Sequence, residues 1–283
     1  GRQIERGLGH FLGAAQAADG VEEALWPLWG ICVFHQVRGE LDEAVATGRR
    51  LLTVARQSHS RLAWLVTNMM HTQLCLYSGQ PVEVPAHVEQ VQHRYSDPAD
   101  RALMALYSTD LLLVAQVHGL HARWMLGETI DLEQACQAQE ARAAALNHPY
   151  SMAWVWSWGA MVLLHDRQVE ALRPRLQQAL ALADEHGYAY VQGMTRFALG
   201  WCQCQPGDGF APSSGIEAMR VGLQAFQATG AGIVVPFFQT LLAEVLADQG
   251  ELGEALALLQ SALTQVEAHG ERWYEPETWR QLA

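Results

Sequence analysis

The segment FFQTLLAEVLADQGELGEALALLQSALTQVEAH, Phe237 to His269, decides how the whole chain is read. Leu241, Leu242, Val245 and Leu246 recur at helical spacing up to Asp248. Gly250 interrupts the pattern, and Leu252, Ala255, Leu256, Leu259, Ala262, Leu263 and Val266 resume it. The spacing therefore predicts a helix, a glycine turn and a second helix. Ala255 and Ala262 stand one heptad apart, and their small side chains let the first helix lie close against the second.

The same pattern extends in both directions. Gln3 to Ala17 reads as a lone helix, the second half of a pair. Ala24 to Arg38 and Leu41 to Ser58 flank Gly39, and Arg61 onward and Val84 to Tyr95 flank Gly79-Gln-Pro81. A long third first-helix is expected from Arg101 to Leu126, with Asp131 to Leu146 returning after Gly127. Tyr150 to His165 is followed by a return ending at His186, in which Pro174 implies a late start or a kink. Ala189 to Gln205 leads into the loop Pro206 to Gly215, readable as a ligand-contacting element or as an elongated turn. Ile216 to Thr229 returns, and Glu275 to Ala283 begins a seventh unit.

Gly39 and Gly79 are 40 residues apart, Gly79 and Gly127 48, and Gly127 and Gly250 123, or three units of about 41. That period exceeds the roughly 34 residues of a tetratricopeptide repeat, so longer helices in a looser register are expected. The fold predicted is all-α: a tetratricopeptide-like α-solenoid, a right-handed superhelix of about six helical hairpins. It forms one repeat domain over residues 1–283, with half-units at both ends that imply a fragment of a longer chain.

Composition excludes several function classes. With 30 acidic against 18 basic residues the formal charge is −12, and pairs such as Arg49-Arg50 and Arg173/Arg175 are isolated, so no nucleic-acid partner is expected. Five cysteines without framework spacing, Cys202-Gln-Cys204 included, read as reduced thiols of a cytoplasmic protein. No apolar run reaches the ~18 to 20 residues of a membrane span, so no membrane partner is expected.

The strings Ala24-Leu-Trp-Pro-Leu-Trp-Gly30, Val37-Arg-Gly-Glu-Leu41 and Asn147-His-Pro-Tyr-Ser-Met-Ala-Trp154 carry a family resemblance. So do Gly200-Trp201, Ala228-Thr-Gly-Ala231, Leu241-Leu-Ala-Glu244 and Gly270-Glu-Arg-Trp-Tyr-Glu275. Together they resemble the C-terminal repeat region of bacterial multidomain ATPases of the STAND type, over nearly the whole chain. The resemblance implies a parent protein joining a cyclase, a kinase or a transcription-factor domain to a signalling ATPase. It implies a sensor and protein-interaction role for this segment. Two departures stand out: Tyr107-Ser-Thr-Asp-Leu-Leu112 lacks the family's Asp-Pro-Gly breaker, which lengthens the third first-helix, and Leu132 replaces a small residue.

No catalytic chemistry is written in the motifs. A Gly-x-x-x-x-Gly-Lys-Ser/Thr loop is absent, and Gly7-Leu-Gly9-His-Phe-Leu-Gly13 follows no strand and reads as a small-residue packing face. His118 and His121 lie one turn apart but make only two ligands, so no metal and no cofactor are expected. His186 reads as a helix C-terminal cation. Ten tryptophans are the more informative feature. Aligned on the turn glycines, Trp26, Trp29, Met69, Gln73, His121, Trp124, Trp156, Phe197, Trp201, Thr240 and Glu244 fall on the inner face, either exposed in a groove or packed as core. Trp154, Trp158, Met161 and His165 form a second stripe, read as core. An exposed inner face makes an apolar aromatic groove for a hydrophobic peptide helix of a protein partner, or for a planar small molecule. It lacks the Lys/Arg/Asn pattern that clamps a C-terminal carboxylate. A third reading is structural, with the repeats forming a homodimer or docking on the attached ATPase.

Overall fold

A computed structural model describes residues 24–58, 60–97, 99–104, 108–206 and 211–283. The lone helix expected at Gln3 to Ala17 and the glycines at 7, 9 and 13 lie outside the described residues, as does the middle of the loop after Gln205. The described residues are helical throughout and contain no strand. Helices α1 (Leu25–Val37) and α2 (Leu41–Ser58) are followed by α3 (Arg61–Tyr77), a 3-10 turn (Pro81–Glu83) and α4 (Val84–Arg94). Next come α5 (Leu111–Met125), α6 (Leu132–Leu146) and α7 (Pro149–Trp154), which runs through a π turn (Val155–Gly159) into α8 (Met161–His165). The chain continues with α9 (Val169–His186), α10 (Ala189–Gln203), α11 (Pro212–Ala228), α12 (Val235–Asp248), α13 (Leu252–His269) and α14 (Glu275–Leu282). Each helix packs on its neighbours in sequence, as pairing through short turns dictates.

Local chemistry sets the boundaries. The side chains of Ser60, Asp110, Asp131 and His148 accept hydrogen bonds from the backbone N–H groups of Ala63, Leu113, Gln134 and Ser151, capping α3, α5, α6 and α7. Left-handed residues recur about every 40 positions in two interleaved series. Gly39, Gly79, Gly127, Arg167 and Gly250 turn the chain within hairpins; Asn147, Gly187, Gly230 and Gly270 turn it between them. Arg167 takes the place glycine holds elsewhere, at φ 60°. Its guanidinium is anchored by Glu244 at 2.7 Å and lies 5.3 Å from the centroid of the Trp201 ring.

Three expected boundaries are corrected. The third first-helix starts at Leu111, not Arg101, after a 3-10 turn at Ala99–Leu103. The missing breaker is replaced by Ser108 at φ 58° and by the Asp110 cap. Asp110 is fully buried, receives Arg142 at 3.0 and 2.8 Å, and accepts from the Tyr95 hydroxyl. Helix α9 begins at Val169 with Pro174 inside it, and α11 begins at Pro212, where the missing N–H costs nothing.

Helices α10 and α11 approach closely through Gly193 and Gly200 on one and Gly215 and Gly222 on the other. A Cβ on Gly193 would lie 2.6 Å from the Phe226 nitrogen. The array also closes on itself. Gly232 and Ile233 donate backbone N–H bonds to the Val37 carbonyl (2.8 and 3.2 Å), and 40 residues on, Arg272 and Trp273 do the same to Tyr77 (2.9 and 3.2 Å). Closeness at the first junction requires glycine, since a Cβ on Gly39 would meet the Gly232 carbonyl carbon at 2.8 Å. The first two hairpins thus touch the linkers on either side of the last.

Candidate functional site: an aromatic partition and two concavities

Inner-facing residues one turn apart bring rings from four sectors of the chain together. Trp158, at 3% exposure, stacks on His121 (5.0 Å, 8° between planes) and touches Tyr77 and Trp273 at 5.9 and 6.0 Å. His165, one helical stretch further on, lies 5.1 Å from Trp124, 5.2 Å from Phe237, 5.5 Å from Trp273 and 5.8 Å from Tyr274. The result is a partition of stacked and edge-on rings across the middle of the molecule.

Burial holds the histidines of the partition in the neutral form. His118 Nδ1 faces the Val114 carbonyl at 2.7 Å; a carbonyl only accepts, so Nδ1 carries the proton and Nε2 accepts from the Tyr77 hydroxyl at 3.2 Å. His121 Nε2 donates to the Trp158 carbonyl at 3.2 Å. Burial pushes His118 down to about 4, His165 to about 3 and His121 well below the ordinary imidazole value. The Tyr77 hydroxyl is raised well above its usual value, first by burial and then by Tyr190 and Glu271. His121 Nδ1, Trp158 Nε1 and both ring nitrogens of His165 are buried without a hydrogen-bond partner. Glu271, beside the partition, accepts from the Val234 N–H and from Trp273 Nε1, and burial raises it to about 8.

A cavity of about 320 Å³ lies on one side, walled by Trp29, Val33, Met69, Tyr77, Trp154 and Trp158. Its polar lining is Gln36, Gln73, Ser108, Thr109, His118, Tyr150 and Tyr190, with no charged side chain among the described residues that line it. Gln36 Nε2 donates to Gln73 Oε1 at 2.9 Å, and Gln73 Nε2 meets Met69 Sδ at 3.1 Å, so the two amides hold each other. Such walls suit a flat, weakly polar ligand. On the other side a concavity of about 660 Å³ joins Trp124, His165, Trp273 and Tyr274 to a charged rim of Arg167, Glu277 and Arg280.

The residues expected on one inner face are dispersed. Trp29, Met69 and Gln73 line the first cavity, Trp124 the second, where its Nε1 donates to Asp166 at 3.2 Å. Trp26 is half-buried against the core. Glu244 is occupied by Arg167, and Thr240 is buried and bonded to Thr278 at 2.8 Å. His121, Phe197 and Trp201 are corrected from groove to interior: His121 is locked under Trp158, and Phe197 and Trp201 have no exposed surface. Trp156 is corrected too. It lines a separate outer concavity with Glu133 and Pro174. Of the stripe read as core, Trp158 and Met161 are buried in it, Trp154 is half-buried, and Trp154 and Trp158 also line the cavity. The π turn Val155–Gly159 inserts a residue ahead of the Arg167 turn, and one residue is about 100° of helix rotation. Tyr77, Tyr150 and Tyr190 stand at helical spacing from Gln73, Trp154 and Phe197 and could have been found by that spacing; Trp273 lies in a turn between helices, outside any helical period. His118 and His121 spend ring nitrogens on Val114, Tyr77 and Trp158 and do not form a metal pair.

The sequence matches no family model, and no curated protein is significantly similar to it.

Proposed function

We propose that the chain is a tetratricopeptide-like α-solenoid acting as the noncatalytic, cytoplasmic sensor region of a bacterial STAND-type signalling ATPase, and that it senses a small, flat, weakly polar molecule. The repeat period of the left-handed turns, the sequential helix pairs and the family strings support the architecture and its context. One observation carries the choice of ligand. Trp29, Trp124 and Trp156, expected to share a groove for a peptide helix, line three separate concavities, and the aromatic one without charge holds only about 320 Å³. That is room for a fused-ring metabolite, not for a helix about 10 Å across.

The test is a tryptophan-fluorescence and calorimetric titration against planar heteroaromatic metabolites, with Val33→Trp as the blocked variant. Saturable binding that Val33→Trp abolishes supports the reading; a flat response across the panel overturns it. A protein contact is a second reading, favoured by the exposed Leu252, Leu256 and Trp279 of the last repeat. Sedimentation velocity of the chain alone and with Trp279→Ser decides it: a dimer that the substitution dissociates supports self-association, and a monomer in both excludes it.

A further inference from the structure

Away from the partition, α3 and the turn after it assemble a group of side chains that the sensor reading does not use. His71 and Cys75 stand one turn apart on α3. Glu83, at the end of the 3-10 turn, and His87, in the first turn of α4, stand one turn apart on the antiparallel return. Ligand atoms of Cys75, Glu83 and His87 all lie within 4.8 Å of one another, with Cys75 Sγ 3.8 Å from Glu83 Oε2. A sulfur and an oxygen bound to one tetrahedral zinc, at about 2.3 and 2.1 Å, stand about 3.6 Å apart. The Cys75–Glu83 pair is therefore close to the separation a shared ion requires.

The imidazoles beside it are held in the tautomer that metal binding needs. His71 Nδ1 faces the Thr67 carbonyl at 2.8 Å, so it carries the proton and leaves the lone pair on Nε2. His87 Nδ1 faces Asn68 Oδ1 at 2.9 Å, and the orientation of that amide is fixed because its Nδ2 donates to the Trp64 carbonyl at 2.8 Å. His87 is thus also a Nδ1–H donor with Nε2 free to bind, the outer-shell arrangement that orients histidine ligands in metal sites. The His71 ring lies 5.0 Å from that of His87 and backs it.

We propose that Cys75, Glu83 and His87 bind a divalent ion of the zinc class, with the fourth position left to water. The ion would clip the end of α3 to the start of α4. Binding forms an ion–sulfur bond, and the thiol proton leaves to solvent.

The test is titration of the reduced chain with Co²⁺. One equivalent is expected to produce a thiolate-to-cobalt charge-transfer band and the intense d–d absorption of tetrahedral cobalt, both lost when Zn²⁺ displaces it. Cys75→Ser is expected to remove the charge-transfer band. Glu83→Gln, at an exposed position with little bearing on folding, is expected to weaken binding at least tenfold, and Cys204→Ser to change nothing. Absence of cobalt absorption at protein excess overturns the proposal. So do bands that survive in both Cys75→Ser and Glu83→Gln, or a Glu83→Gln affinity equal to that of the unaltered chain.

Discussion

Acidification from pH 7 to pH 5 is expected to destabilise the molecule through its partition, and the size of the effect follows from the buried groups. In the unfolded chain a histidine takes up its proton as the pH falls through about 6.5. In the folded chain His118 stays neutral to about 4 and His165 to about 3. Stability that these rings contribute above the unfolded value is lost as the pH drops toward the folded one, about 2 kcal/mol for each by pH 5. His121, depressed by burial and by His165 and His118, pulls the same way. Glu271 opposes them. Its folded value is raised to about 8, so its contribution is complete below the unfolded carboxyl value and is lost as the pH rises through 8. Between pH 7 and pH 5 it recovers about 2 kcal/mol. The unaltered chain should therefore lose about 2 kcal/mol or more, and Glu271→Gln, lacking the recovery, about 4 or more. Urea unfolding followed by tryptophan fluorescence and circular dichroism at the two pH values, at constant ionic strength, measures both. Equal pH slopes for the two proteins, or no loss in either, would refute a partition of neutral histidines beside a protonated Glu271.

Three further outcomes are expected. Arg142→Ala leaves the fully buried Asp110 without its cation and should cost about 3–5 kcal/mol in chemical denaturation; a loss below 1 would show the pair to be solvated. Gly193→Ala brings a Cβ within 2.6 Å of the Phe226 backbone, so it should destabilise by about 1–3 kcal/mol despite alanine's higher helix propensity, and a stabilised variant would contradict the close approach of α10 and α11. Gly39→Ala, at φ 77° and against Gly232, should open the first closing junction; hydrogen exchange should then quicken at the Gly232 and Ile233 amides and not at α5.

Helix periodicity was legible wherever one residue type did one job. The Gly250 hairpin, the turns at Gly39, Gly79 and Gly127 and the breaks at Gly187, Gly230 and Gly270 could be read from glycine alone. The turn at Asp166-Arg167 was legible without a glycine, but not the left-handed backbone of Arg167, held by Glu244 and Trp201, residues 77 and 34 positions away whose approach depends on the tertiary fold. The start of α5 was misread because Asp110 replaces the expected breaker with a cap, a role visible only once Arg142 and Tyr95 are seen to hold it. The inner face was lost at Trp156 through one inserted residue in the π turn, and at His121, Phe197 and Trp201 through closure of the array. Closure rests on backbone bonds from Val37 and Tyr77 to linkers about 195 residues away, and no local pattern encodes these. The His71/Cys75 and Glu83/His87 pairs were readable as two one-turn spacings, yet only the hairpin sets them face to face.

We propose that the cavity walled by Trp29, Trp154 and Trp158 takes a small planar molecule. Indole N–H correlation spectra of the ¹⁵N-labelled chain, recorded with fused-ring heteroaromatic compounds at millimolar concentration, test it most directly. The expected result is saturable movement of the Trp29, Trp154 and Trp158 signals while those of Trp156 and Trp279 stay in place. Movement confined to Trp124, Trp156 or Trp279, or none for any compound, would contradict it.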